Sequence, residues 1–390
     1  MKPENHHLYD WLRQVRRDIH RHPEVAMKEH RTTAKIKAIL AELKIDIMDL
    51  PELEVGAVGI IRGRPGDKTL ALRADIDALP IDESNEVPYK STIPGVMHAC
   101  GHDANTTIVL GVAKNVVESG LAERITGNLK LIFQPAEEIF AGAKALIKAG
   151  VLDNPSVTRI LACHVWPDLH TGQIGLYNGY SHANSDSFRL LISGHGGHGC
   201  RPDLTDDPIV AGINFVSSIQ TIVSRNVSPM DTSVISVGIF NAGTAPNIIP
   251  GEALIEGTVR TFTTASRDLV RARMEEITQG LEKSFRVTNN WQYILGVPAV
   301  YNQESVSDDL YAAAVRVLGE ENVSYLQPAT GGEDFALYTQ KVPGSFMRVG
   351  CADASRGIDS PVHTSDFDLD EGSLAVGVDV LTEEIRTYLA

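Results

Sequence analysis

The 390-residue sequence is poor in cysteine, short of positive charge and without a long apolar run. Its four cysteines, Cys100, Cys163, Cys200 and Cys351, lie far apart. That excludes a disulfide framework and suits a reducing compartment. Lysine and arginine number 35 against 50 acidic residues, a formal charge of −15. So acidic a chain lacks the basic surface that nucleic acid or an anionic membrane needs, and neither is expected as a partner. No apolar stretch approaches a membrane span, and the N-terminus has no signal-peptide core. Instead Leu8, Trp11, Leu12, Val15 and Ile19 alternate with charges as on an amphipathic helix. A cytoplasmic protein is expected. The hydrophobic content of 43% is ordinary for a globular chain, and the length calls for two domains.

Periodicity divides the chain. Helical spacing over 9–20 and 31–43 precedes short apolar strands at 57–62, 69–74, 129–133 and 159–164, with helices at 106–118 and 141–149 between them. This pattern predicts an α/β layer fold whose site lies where strands run out into loops. From about residue 185 the order becomes strand 187–192, helix 208–223, strands 232–240 and 253–262, helix 266–285 and strand 291–297. That is β-α-β-β-α-β, a ferredoxin-like unit. Helix 308–318, strand 346–349 and helix 372–388 then return to the first pattern. The expected architecture is a discontinuous α/β domain, 1–184 and 298–390, with a mixed sheet and an inserted ferredoxin-like domain at 185–297.

Cys100-Gly101-His102 sets a thiol and an imidazole two residues apart at the mouth of a helix, with Asp103 as the expected N-cap. Such a pair reads as a metal corner, or as a buried structural cysteine beside an unrelated histidine. Glu137 and Glu138 follow a strand and precede a helical run. They read as an ordinary helix start, or as one ligand and one free base, since adjacent helical residues diverge by about 100°. His164 ends an apolar strand and His363 lies in a loop before the last helix; each alone is as well explained by packing or exposure. Asp75 and Asp77 share one face and either orient ligands or make a strand-end ion pair. Together Cys100, His102, Glu138, His164 and His363 supply thiolate, imidazole and carboxylate, the donors that borderline divalent metals prefer. Five ligands suit two ions rather than one.

With these segments in view, the sequence resembles the dinuclear metallo-amidohydrolases that include hippurate hydrolases, auxin-conjugate hydrolases and bacterial N-acyl-amino-acid deacylases. The matching segments are LRADIDALPI (72–81), MHACGHD (97–103), FQPAEE (133–138), GGHG (196–199), TAPNIIP (244–250), GTVRTF (257–262), GEDF (332–335) and HTSDF (363–367), in collinear order. The resemblance implies Cys100, His102, Glu138, His164 and His363 as ligands of two divalent ions (manganese, zinc, cobalt or nickel). It implies Glu137 as general base and Asp75 and Asp77 just behind the metals. It also implies a lid domain that forms a homodimer, with His198 reaching the partner's active site to hold an oxyanion and Asn247 and Arg260 holding the substrate. The implied reaction cleaves N-acyl (acetyl, benzoyl or aryl-acetyl) amino acids to a carboxylic acid and an amino acid. A metallo-dipeptidase or carboxypeptidase is the alternative; a non-catalytic binding protein would be expected to lose the base or several ligands, all present here.

The chain departs from the family pattern in places. Asn105 and Asp203 stand where histidine is usual, and His182 and His195 replace more usual residues. These changes bear on substrate range rather than on the chemistry.

Overall fold

The computed structural model describes residues 6–390. The chain divides into two compact units. One comprises the chain up to Ser181, Tyr301–Gln327 and Asp334–Ala390; the other comprises His182–Val300 and Pro328–Glu333.

The first unit is built on an eight-stranded mixed sheet. Its strands, in spatial order, are Asp46–Ile47, Ala57–Arg62, Thr126–Gln134, Arg64–Asp75, Arg159–His170, Gly344–Ala352, Ile174–Leu176 and Val323–Tyr325. The four strands from Thr126–Gln134 to Gly344–Ala352 pair in parallel. Parallel strands are covered on both faces, which is why they read as near-continuous apolar runs. Helices His6–Arg21, His102–Glu118, Glu304–Leu318 and Gly372–Tyr388 pack on one another and close one core over the sheet. At Gly111 a Cβ would lie 2.5 Å from Leu12 Cδ2 and 2.7 Å from Val378 Cγ2, so glycine lets the helix carrying it approach both neighbours. Among the described residues no helix is long and apolar enough to cross a membrane.

Several elements differ from their sequence-based bounds. The strand expected at 69–74 begins at Arg64, where five exposed residues hide it from an apolar search. The strand expected to end at His164 continues to His170. Helix His102–Glu118 starts four residues earlier than its apolar spacing indicates, because its first turns bury polar residues. Asp103 is not its N-cap: that position is Gly101, without a side-chain bond. The Asp103 carboxylate instead accepts from Arg16 Nε and from His20 Nδ1, both at 2.8 Å.

In the second unit, strands Ser233–Ala242, Glu252–Thr261, Asn184–Ser193 and Thr288–Val297 lie side by side in that order, every pair antiparallel. With helices Pro208–Arg225 and Thr264–Phe285 this is the β-α-β-β-α-β arrangement. Alternation over 187–193 buries Phe188, Leu190 and Ile192, and Phe188, Phe215 and Trp291 form an aromatic cluster in that core. Asp207 caps the first helix, accepting from Ile209 N at 2.8 Å, and Thr263 caps the second.

Candidate metal centre

The Cys-Gly-His spacing has a steric cause. Gly101 has φ +82°, and a Cβ there would stand 2.3 Å from Val165 Cγ2. Only glycine allows the chain to turn here against the strand Arg159–His170. The turn sets Cys100 Sγ 3.5 Å from His164 Nε2. His363 joins from its loop: its backbone N donates to Ala99 O at 2.7 Å, and its Nε2 lies 3.3 Å from Cys100 Sγ and 3.3 Å from Glu138 Oε1. The donor atoms of Cys100, His102 and His164 all lie within 4.8 Å of one another. The same holds for Cys100, Glu138 and His363, and for His102, Glu137 and Glu138.

Hydrogen bonds fix which nitrogen each imidazole presents. A carbonyl oxygen can only accept, so His102 Nδ1–H donates to Asp77 O at 2.9 Å and His164 Nδ1–H donates to Val165 O at 2.7 Å. Both rings therefore turn an Nε2 lone pair toward the cluster. His102 Nε2 and Glu138 Oε1 are buried and have no hydrogen-bond partner. Buried polar atoms are seldom left so, and two facing one space with a thiol beside them fit a cation.

Asp77 holds two of these residues at once: it takes His102 Nδ1 and accepts from Glu138 N at 3.0 Å. Asp75 lies 3.8 Å from His102 Nε2 and accepts from Arg73 Nη1 and Asn105 Nδ2, both at 2.7 Å. Burial opposes every charge here, yet neighbours overrule it. His102 and His164 draw the Cys100 thiol down to about 6. Asp75 and Cys100 push the His102 imidazole well above its usual value, and Cys100 raises His164. The His363 and His102 imidazoles beside it lower Glu138. Acids lowered and bases raised by one another mark groups that pair closely in one buried place.

Glu137 and Glu138 are not at a helix start. They occupy a turn after strand Thr126–Gln134, and helix Gly142–Lys148 begins later. Ala136 and Phe140 have φ of +53° and +55°. Several residues that shape this centre carried no role in the sequence reading. Asp334 accepts from Arg73 Nη2 at 2.9 Å, Gln134 Nε2 at 2.7 Å and Ala143 N at 3.0 Å, pinning the strand ends under the glutamate turn. Its signal was an arginine and a glutamine in otherwise apolar strands.

The other expected site residues belong to the second unit. His198 is exposed on the short strand Gly197–His198, which pairs with Ile248–Ile249, and Gly199 N donates to Asn247 O at 2.8 Å. Arg260, on Glu252–Thr261, donates from Nη1 to Asp186 O at 3.3 Å and Val259 O at 3.2 Å. Among the described residues no carboxylate lies within ion-pair distance of it. The Asp186 carboxylate is taken by Arg267, Tyr293 and Gly296 N. Asp203 makes an exposed pair with Arg201 at 2.8 Å.

Residues 71–387 match the model of peptidase family M20/M25/M40. An N-acetylcysteine deacetylase of Bacillus subtilis is 40% identical over 369 residues, covering 95% of this chain and 94% of its own. Thermostable carboxypeptidase 2 of Saccharolobus solfataricus is 34% identical over 381 residues, 97% of this chain and 95% of its own. The crystal structure of a dinuclear metal-binding M20 peptidase from Bacillus subtilis superposes with a TM-score of 0.86 at 34% identity, covering 98% of this chain and 99% of that one. The chain therefore belongs to peptidase family M20/M25/M40 and is a hydrolase of amide bonds.

Proposed function

We propose that this protein is a two-metal amidohydrolase that releases an α-amino acid with a free carboxylate from its N-acyl group. The observation that carries the reading is the pair of buried atoms without a hydrogen bond, His102 Nε2 and Glu138 Oε1, beside Cys100, His164 and His363. Those five residues hold the ions, with Asp75 and Asp77 orienting them. When bound, divalent ions of this kind acidify a water and polarise the scissile carbonyl. Manganese, zinc, cobalt and nickel all suit the donor set.

Glu137 is the general base. It accepts the proton of the attacking water and returns it to the leaving amine nitrogen. The unit 185–297 acts as lid and dimerisation domain, inserted in a catalytic domain of 1–184 and 298–390. Its exposed His198 stabilises the oxyanion in the partner of a homodimer. Arg260 grips the substrate α-carboxylate, and Asn247 also holds the substrate; a guanidinium without a carboxylate partner in its own unit supports the role of Arg260. The free cysteines suit a cytoplasmic enzyme.

An N-acetyl amino acid and a C-terminal peptide bond share one core, an amide whose nitrogen bears a carbon with a free carboxylate. The two relatives named for deacetylation and carboxypeptidase action are thus close in chemistry. We place this chain with the N-acyl amino acids. The test is a panel of acetyl-, benzoyl- and indoleacetyl-amino acids against dipeptides and longer peptides, on metal-reconstituted enzyme. Faster turnover of dipeptides than of every acyl amino acid would replace this reading by the peptidase one. Glu137→Gln should retain metal and lose turnover by at least 10²–10⁴-fold, whereas Glu138→Gln should lose metal. The reverse pattern would exchange the two roles.

A further inference from the structure

We infer that Glu29, which lies outside the metal-binding cluster, is a positioning residue for Glu137. Glu29 is fully buried, and its Oε1 accepts from Ala136 N at 2.8 Å. Ala136, also fully buried, has φ +53° and directly precedes the base. The left-handed region is unfavourable for any residue with a Cβ, and a single alanine stays there only when its surroundings hold it. The Ala136 carbonyl is engaged as well, accepting from Ala141 N at 3.1 Å and Gly142 N at 3.2 Å. On the other side of Glu137, the N–H of Glu138 is held by Asp77. Two carboxylates, from Glu29 and Asp77, therefore fix the backbone on either side of the base.

Glu29 immediately precedes helix His30–Glu42, where a carboxylate is ordinarily explained as a helix cap. That explanation fails here. The Glu29 side chain makes no capping bond. Glu24 takes the free N–H groups of that helix instead, accepting from Arg31 N at 2.9 Å and Thr32 N at 2.8 Å. The helix start is satisfied without Glu29, and the Glu29 carboxylate is left to the glutamate turn. Without it, Ala136 returns to negative φ and the following peptide rotates, carrying the Glu137 carboxylate away from its place.

The inference rests on Glu137 being the base, and one set of holoenzyme variants separates the two. Glu29→Gln keeps the Oε1 acceptor and should keep kcat. Glu29→Ala and Glu29→Asp, which lose or shorten the reach to Ala136 N, should lower kcat on the order of 10²-fold. KM and bound metal per chain should be unchanged. Adding Ala136→Gly to Glu29→Ala should restore part of the loss, because glycine takes positive φ without strain. A purely structural Glu29 would instead lower the melting temperature of Glu29→Ala with kcat per metal-loaded chain intact, and that result would overturn the inference. So would a Glu29→Gln as slow as Glu29→Ala. If Glu29→Ala does not fold, Glu29→Asp decides, and full kcat there refutes the role. Normal turnover by Glu137→Gln would remove the base assignment itself. Normal turnover by Glu29→Ala beside an inactive Glu137→Gln removes only the role of Glu29.

Discussion

Asn105, one of the expected departures from the family pattern, has surroundings that make a quantitative test. It is fully buried. Oδ1 accepts from Val165 N at 2.9 Å, so the amide has one orientation and Nδ2 donates to Asp75 Oδ1 at 2.7 Å. It thus ties Asp75, 3.8 Å from His102 Nε2, to the strand residue next to His164. Asn105→Leu fills the same space with carbon and leaves two buried groups without this partner. Each such loss costs about 1–3 kcal/mol, together roughly 2–6 kcal/mol. The lower half applies, because Asp75 keeps Arg73 Nη1 at 2.7 Å. Loosening the partners of metal-binding side chains typically weakens metal affinity by about 10–100-fold.

Urea unfolding of the metal-free variant measures the first quantity, and competition with a chelating dye measures the second. Asn105→His should lose little affinity, since an imidazole can donate to Asp75 from one nitrogen and accept from Val165 N with the other. Asn105→Asp sets two carboxylates together and raises the folded-state pKa of the pair. Its stability should therefore be retained at low pH and fall as pH rises through that raised value. An Asn105→Leu protein with wild-type urea midpoint and wild-type metal affinity would refute the reasoning.

Two further outcomes are expected. With Cys100 proposed as a metal ligand and not a nucleophile, iodoacetamide should modify it only after chelation, under conditions where far-UV circular dichroism persists; an acyl group trapped on Cys100 during turnover would contradict this. Burial raises the Glu384 carboxyl from the ordinary 4.5 to about 7 against the pull of Arg159. Its contribution to stability is then present at low pH and lost as pH rises through about 7, and Glu384→Gln should flatten the fall in unfolding free energy between those limits.

Much of this was legible in the sequence, and for identifiable reasons. The central parallel strands showed as apolar runs because both faces are covered, and helix Gly372–Tyr388 showed because one stripe of it packs on the core. The candidate metal-binding residues showed only as residue types, thiol, imidazole and carboxylate, and the structure brings their donor atoms together in threes within 4.8 Å. What periodicity could not show was polar burial. Asp103 looks like a helix cap to any rule based on local preference, yet its carboxylate is bound by Arg16 and His20 from a helix more than eighty positions away.

The helix-start alternative for Glu137 and Glu138 fails for the same reason. A helix start predicts carboxylates by dipole and proline by its fixed φ, and Gln134-Pro135-Ala136-Glu137-Glu138 satisfies both rules. The structure instead keeps the pair in a turn with an alanine at φ +53°. No local preference favours that conformation in an alanine. It is imposed by partners distant in sequence, Glu29, Asp77 and Asp334, whose carboxylates accept the N–H groups of Ala136, Glu138 and Ala143. A helical pair would diverge along a regular spiral. The turn instead lets His102, Glu137 and Glu138 bring donor atoms within 4.8 Å of one another. The place where local rules fail is therefore the place where the chemistry is assembled, because bringing two acids to one centre requires the backbone to leave its preferred path and be held there.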